Sequence, residues 1–210
     1  MRQLVYQLAD SAFPSGGFAH SLGLEALRAV GALAGERAFA LRLGELAWHT
    51  AHATLPFVGD ALRGDAVAAD RASDRFLSSH VANRASRAQG AALAIAADAL
   101  AVAIAPVPDL PYRHVAVVLG AVLRAAGVAL ADARELAMFQ TLRAATSAAV
   151  RLGVVGPLRA QRVLLDAAPV AERALVATVA LTAADACSCT PLVDLAQAGH
   201  DRLYTRLFQS

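Results

Sequence analysis

Apolar residues recur along nearly the whole chain at spacings of three and four, the period that gathers them on one side of an α-helix. Strict alternation, the mark of a half-buried strand, is rare. The pattern predicts a short helix over residues 4–10, then a reversal through Pro14, Gly16 and Gly17. A second helix is expected from Ser21, read as its N-cap, to Gly31. Others follow over 36–54, with Pro56 as a break, over 65–79, and over 81–105. Pro106, Pro108 and Pro111 punctuate the middle, before helices over 112–126 and 132–152. Asp132 with Glu135 fits a capping box. Gly153, Gly156 and Pro157 lead into two further helices over 158–167 and 170–186. A last one opens at Thr190-Pro191, an N-cap followed by proline at the first helical position. The expectation is an all-α, single-domain bundle of about ten helices spanning residues 1–210, with 190–210 as a C-terminal helix and tail. The helices over 81–105 and 132–152 carry Ala, Leu and Val on nearly all sides and are expected to be largely buried.

Composition sharpens this in two respects. Hydrophobic residues make up 57% of the 210-residue chain, and many are alanine, the best helix former. The net charge of +2 is too small to imply nucleic acid as a partner. Every basic side chain besides histidine is arginine. Asp98, Arg124, Arg134 and Asp185 break the most apolar stretches, so no membrane span is expected. The first residues lack the features of a secretory signal, and a cytoplasmic location is expected. Cys187 and Cys189 stand too close for an ordinary structural disulfide.

Candidate chemistry is sparse. His49 and His52 lie three apart on one helix, a spacing that suits two metal ligands, but no third ligand is evident nearby. Cys187 and Cys189 form a soft-metal pair or pack like alanine, and packing is the favoured reading. Ser15 and His20 flank the glycine turn, without the strand-turn-helix setting of a nucleophile elbow. The same turn lacks the lysine of a phosphate-binding loop. The C-terminus is more informative. Leu192, Leu195, Ala196, Gly199, Leu203 and Leu207 keep helical spacing, and Tyr204 and Phe208 form an adjoining pair. Chain ends are usually polar, so this segment either docks on the chain's own core or orders against another protein.

Residues 8–21, LADSAFPSGGFAHS, followed by Gly23-Leu24-Glu25, resemble the opening motif of the urease accessory protein F family. Pro191 to Ala196 and His200 to Ser210 resemble its closing motif, and 84–90 (RASRAQG) and 148–152 (AAVRL) resemble two internal helices. The chain departs from the family at Ala116, where proline is usual, and at Pro157 and Ala160, which interrupt a Gly-Gln pattern. Cys187 and Cys189 fall where small polar residues are expected, which favours packing.

The resemblance implies a non-enzymatic accessory protein, with no catalytic residue and no stably bound cofactor or metal. It implies binding to urease accessory protein D (H in some organisms), dimerisation within that complex, and recruitment of the nickel-carrying GTPase, accessory protein G, to apo-urease. Nickel is then handled by the complex, with GTP hydrolysis regulated. His200, Leu203, Tyr204, Arg206, Leu207, Phe208 and Ser210 are the expected D-facing residues. Residues 200–210 are expected to be poorly ordered without that partner, so truncation after Gly199 should spare the melting temperature. Glu25 and Arg151 are expected to face the GTPase as solvated charges. Pro14, Gly16 and Gly17 form the structural turn. The alternative is a direct nickel-binding metallochaperone using His20, His49, His52, His200 or the two cysteines.

Overall fold

The computed structural model describes residues 2–100 and 106–210. Among them are ten α-helices and no strand: α1 (Arg2–Ala9), α2 (Leu24–Ala29), α3 (Gly35–Ala53), α4 (Leu55–Arg63), α5 (Ala66–Phe76), α6 (His80–Asp98), α7 (Val115–Ala125), α8 (Leu130–Arg151), α9 (Pro157–Ala177) and α10 (Pro191–Ala198). Short 3₁₀ turns lie at Gly17–Ala19, Ala183–Asp185 and His200–Arg202. The expected all-α fold is therefore found. The end of the helix expected over 81–105 falls partly outside the described residues.

The most buried helix is α7, with every residue from Ala116 to Leu123 out of solvent. It packs on α4 and α6, while α3 and α8 pack on α9. Phe39, Leu43, Phe57, Val58, Val122, Leu123, Met138 and Leu142 fill the space between them. Two glycines set the closest approaches. A β-carbon on Gly120 would overlap the Val58 carbonyl of α4, and one on Gly90 would overlap the Arg113 carbonyl. At Gly120 α7 touches α4 backbone to backbone, and at Gly90 α6 touches the turn that enters α7, because nothing projects between them.

Ahead of α7 the chain is held by a carboxylate. Asp70 is fully buried and accepts the backbone N–H groups of Tyr112 (2.7 Å), Arg113 (3.1 Å) and His114 (2.9 Å). Three donors on one carboxylate hold a turn in which Arg113 sits at φ 61°, a conformation unusual for a side chain with a β-carbon. His114, also buried, bridges Ser86 (3.1 Å) and Asp74 (3.2 Å).

Several elements differ from expectation. Helix α9 runs unbroken through Pro169, where two helices were expected. Ala160, Val163, Ala167, Ala171 and Ala174 form one buried stripe across the proline, and their packing outweighs the one missing hydrogen bond. Helix α8 starts at Leu130 with Ala129 as its cap, so Asp132 sits in the first turn and makes no capping box. An acid there still complements the helix dipole. Helix α2 starts at Leu24 after Gly23, so Ser21 lies upstream of the cap position. Helix α6 buries only Val81, Ala85, Gly90, Leu93 and Ala97, and α8 buries about half its length, so neither is buried all round. Alanine favours helix without demanding burial, and so misleads on this point.

Candidate partner-binding site

The site forms where the end of the chain meets its beginning. Pro14 and Gly16 turn the chain after α1, with Gly16 at φ 72°, and Gly17 opens the 3₁₀ turn that carries Phe18. Ser21 and α2 follow, and residues 200–210 lie back across them. The backbone N–H of Ser21 donates to the Ser210 carbonyl oxygen at 2.6 Å, and the Ser21 hydroxyl donates to the same oxygen at 3.0 Å. His20 hydrogen-bonds through Nδ1 to the Ser210 hydroxyl at 2.6 Å. Gln209 donates its backbone N–H to the Ala19 carbonyl at 2.8 Å.

Glu25 organises the other end of this contact. Its carboxylate accepts the backbone N–H groups of Leu207 (2.5 Å) and Phe208 (3.1 Å) and the Nε2 proton of His200 (2.8 Å). His200 is fully buried, and its Nδ1 has no partner. Phe208 is 5% exposed, and the Arg151 guanidinium lies 4.2 Å from its ring centroid. Arg151 also donates to the Phe18 carbonyl. Burial first, and then the charge of nearby His200, hold the His20 imidazole below its ordinary value. A neutral His20 suits a site already crowded with polar groups.

This corrects two expectations. Glu25 is not a solvated acid: it is buried and saturated with donors. Nor do residues 200–210 lack order, because backbone bonds to Ala19, Ser21 and Glu25 dock them on the protein's own body. Sequence spacing gave no sign of this, because the partners stand about 180 residues apart.

The docked segment is two-faced. His200, Phe208 and Ser210 point inward. Tyr204 is completely exposed and Leu207 is 53% exposed, with Leu203 half-buried and Arg206 exposed. Phe18, 71% exposed, continues the apolar surface beside Arg151, and it was missed from sequence because it sits inside the glycine turn. Leu192 and Leu195 of α10 are exposed as well.

The other candidates are not brought together. His20 pairs with Ser210 and not with Ser15. His49 hydrogen-bonds Thr190 at 2.8 Å and faces Asp194 at 3.9 Å, while His52 donates to the Trp48 carbonyl. Burial is the main cause that holds His49 below its ordinary pKa. Cys187 and Cys189 are free and exposed, against the expectation of packing, because their loop runs over the surface. Among the described residues no three His, Cys, Asp or Glu side chains converge as a metal site. The Ser86–His114–Asp74 chain resembles a catalytic triad in order alone. His114 is sealed from solvent, and Ser86 is occupied by the Val115 N–H. No helix among the described residues is long and apolar enough to cross a membrane.

Fold and site together define an all-helical protein that presents a pinned C-terminal segment, with apolar side chains left outward. The UreF family profile matches residues 35–168. Urease accessory protein F of Arabidopsis thaliana is 33% identical over 222 aligned residues, covering 98% of this chain and 91% of that protein. The Oryza sativa subsp. indica protein of the same name is 32% identical, over 97% of this chain and 83% of its own length. Urease accessory protein UreF of Trichodesmium erythraeum is 29% identical, over 96% and 94% respectively. The chain belongs to the UreF family of urease accessory proteins.

Proposed function

We propose that the protein acts in urease maturation as a scaffold that binds accessory protein D (H) and the GTPase accessory protein G on apo-urease, and that it regulates the GTPase during nickel insertion. Dimerisation of the scaffold within that complex belongs to the same reading. The observation that carries it is the docked tail, which turns Tyr204 and Leu207 outward while Glu25 and Arg151 grip its inner side. Exposed aromatic and aliphatic groups on a fixed backbone lose little entropy on binding, which favours them as anchors. On this reading the D protein binds Leu203, Tyr204, Arg206 and Leu207. His200, Phe208 and Ser210 serve that surface from beneath. The GTPase binds beside Arg151 on the same reading, and Glu25 serves that contact by holding the tail in position. On the same reading nickel is handled by the complex, with none bound stably by this chain. The rival reading, a metallochaperone that binds nickel directly, is tested by equilibrium nickel titration of the isolated chain. Stoichiometric tight binding would favour it.

The test of the leading reading is a pull-down with separately purified D and G proteins. Tyr204→Ala and Leu207→Ala should keep the wild-type melting temperature and lose the D protein. Loss of about 1–2 kcal/mol per anchor corresponds to roughly five- to thirtyfold weaker binding. Undiminished capture of the D protein by the Tyr204→Ala, Leu207→Ala double variant would remove this surface from the interface.

A further inference from the structure

A second surface lies on the other flank of the tail. The loop after α5 and the first turns of α6 enclose a cleft of about 360 Å³ lined by Leu77, Ser78, His80, Asn83, Arg84 and Arg87. Asp201, in the 3₁₀ turn of the tail, reaches its rim. One nitrogen of Arg84 lies 3.0 Å from both Asp201 oxygens, His80 Nε2 lies 3.2 Å away, and Arg206 donates at 3.2 Å. Arg87 rests over the ring of Tyr112, 5.6 Å from its centroid, rather than on a carboxylate among the described residues. Asp74, the other acid nearby, is engaged by Asn83 and His114. Two arginines and a histidine thus hold the Asp201 carboxylate, and a third arginine, Arg87, lines the cleft beside them.

We propose that this cleft binds an acidic peptide segment of a partner protein, and that Asp201 occupies the place of the partner's carboxylate until it arrives. The chemistry of the present occupant identifies the class of the next one, because the same guanidinium that holds Asp201 will hold another carboxylate. Leu77 gives the cleft one apolar wall, which suits a peptide side chain better than a free ion. The net charge of +2 supplies no extended basic face for nucleic acid. All the ion pairs here are solvent-exposed, so exchange of one carboxylate for another costs little. The tail is held separately by Glu25 and Ser21, so Asp201 can yield its place without undocking the chain end.

The experiment uses the full chain and a fluorescein-labelled hexaglutamate peptide, read by fluorescence anisotropy at low salt, with hexaserine as control. Asp201→Asn should bind hexaglutamate about threefold tighter than wild type, and Arg84→Gln and Arg87→Gln about threefold weaker, the scale of an exposed ion pair. Arg87→Gln leaves every Asp201 contact intact and so decides the matter even if Arg84→Gln fails to fold. Equal binding by wild type, Asp201→Asn and Arg87→Gln would overturn the proposal, as would hexaserine binding as well as hexaglutamate. Displacement of the peptide by inorganic phosphate, but not by acetate at the same ionic strength, would mark a phosphate site and overturn it too.

Discussion

Glu25 illustrates how far a side chain's environment departs from its type. Read alone, it is an acid near a helix start, and Glu25→Ala would be expected to leave folding intact. In the structure its loss strands two backbone N–H groups and a buried imidazole. Glu25→Ala should therefore cost about 3–5 kcal/mol in urea denaturation, the scale for removing one partner from a buried charged network. Arg151→Ala should cost only about 0.5–1 kcal/mol, because its stacking on Phe208 is partly in water. Comparable losses for the two variants would show that the carboxylate is not the organising group. A second residue-scale effect concerns pH. Burial is the leading cause that holds His20, His49 and His114 below 6.5, even though Asp74 and Asp70 pull His114 the other way. A histidine lowered in the folded state binds protons more weakly there than when unfolded. Its contribution is complete above about 6.5 and is lost as the pH falls from there through the lowered folded value. Urea midpoints should be flat above neutrality and decline below pH 6.5. His114→Gln should reduce that decline.

At the scale of elements, glycine separates contact from mere helix. Gly120→Ala and Gly90→Ala should each destabilise by about 3 kcal/mol or more, since the added methyl meets backbone that cannot move aside. Gly44→Ala in α3 meets nothing within 4 Å and should stabilise by roughly 0.5–1 kcal/mol through helix propensity. Thermal melts of the three variants check both signs. These crossings explain why sequence was uneven as a guide. Most helices were legible from the three-four period, and the proline at 191 marks a real start, but Pro56, read as a break, opens the unexpected helix α4. The continuity of α9 through Pro169 was not legible, because the buried stripe that stabilises it packs on α3, more than a hundred residues earlier, as well as on the neighbouring α8. For the same reason the site was legible as a list and not as an assembly. Glu25, Arg151 and the tail stood out by resemblance, but not their contact with one another.

For the whole molecule, the docked tail reverses one expectation. Truncation after Gly199 removes Phe208 from the core and leaves Glu25 and Ser21 without their partners. Burial of one phenylalanine alone is worth about 1.5–3 kcal/mol. The melting temperature should fall by roughly 6–12 °C for ~3 kcal/mol in a chain of this size. An unchanged melting temperature would show that the tail contributes nothing to the body. Loss of partner binding by such a truncation is then no proof of direct contact, whereas Tyr204→Ala isolates the outward face.

The Asp70 carboxylate carries a different kind of consequence. Because it clasps the backbone of residues 112–114 directly, the entry into α7 has an anchor of its own, besides the packing of Val107 and Leu110 on the core. An insertion just before Leu110 therefore leaves the clasp itself intact. Doubling a loop adds only about 0.6 kcal/mol of closure entropy. A four-residue Gly-Ser insertion between Pro108 and Asp109 should lower stability by less than ~1 kcal/mol, whereas the same insertion in an Asp70→Asn background should be far more damaging. The clasp thus uncouples the length of this connection from the seating of the helix that follows it.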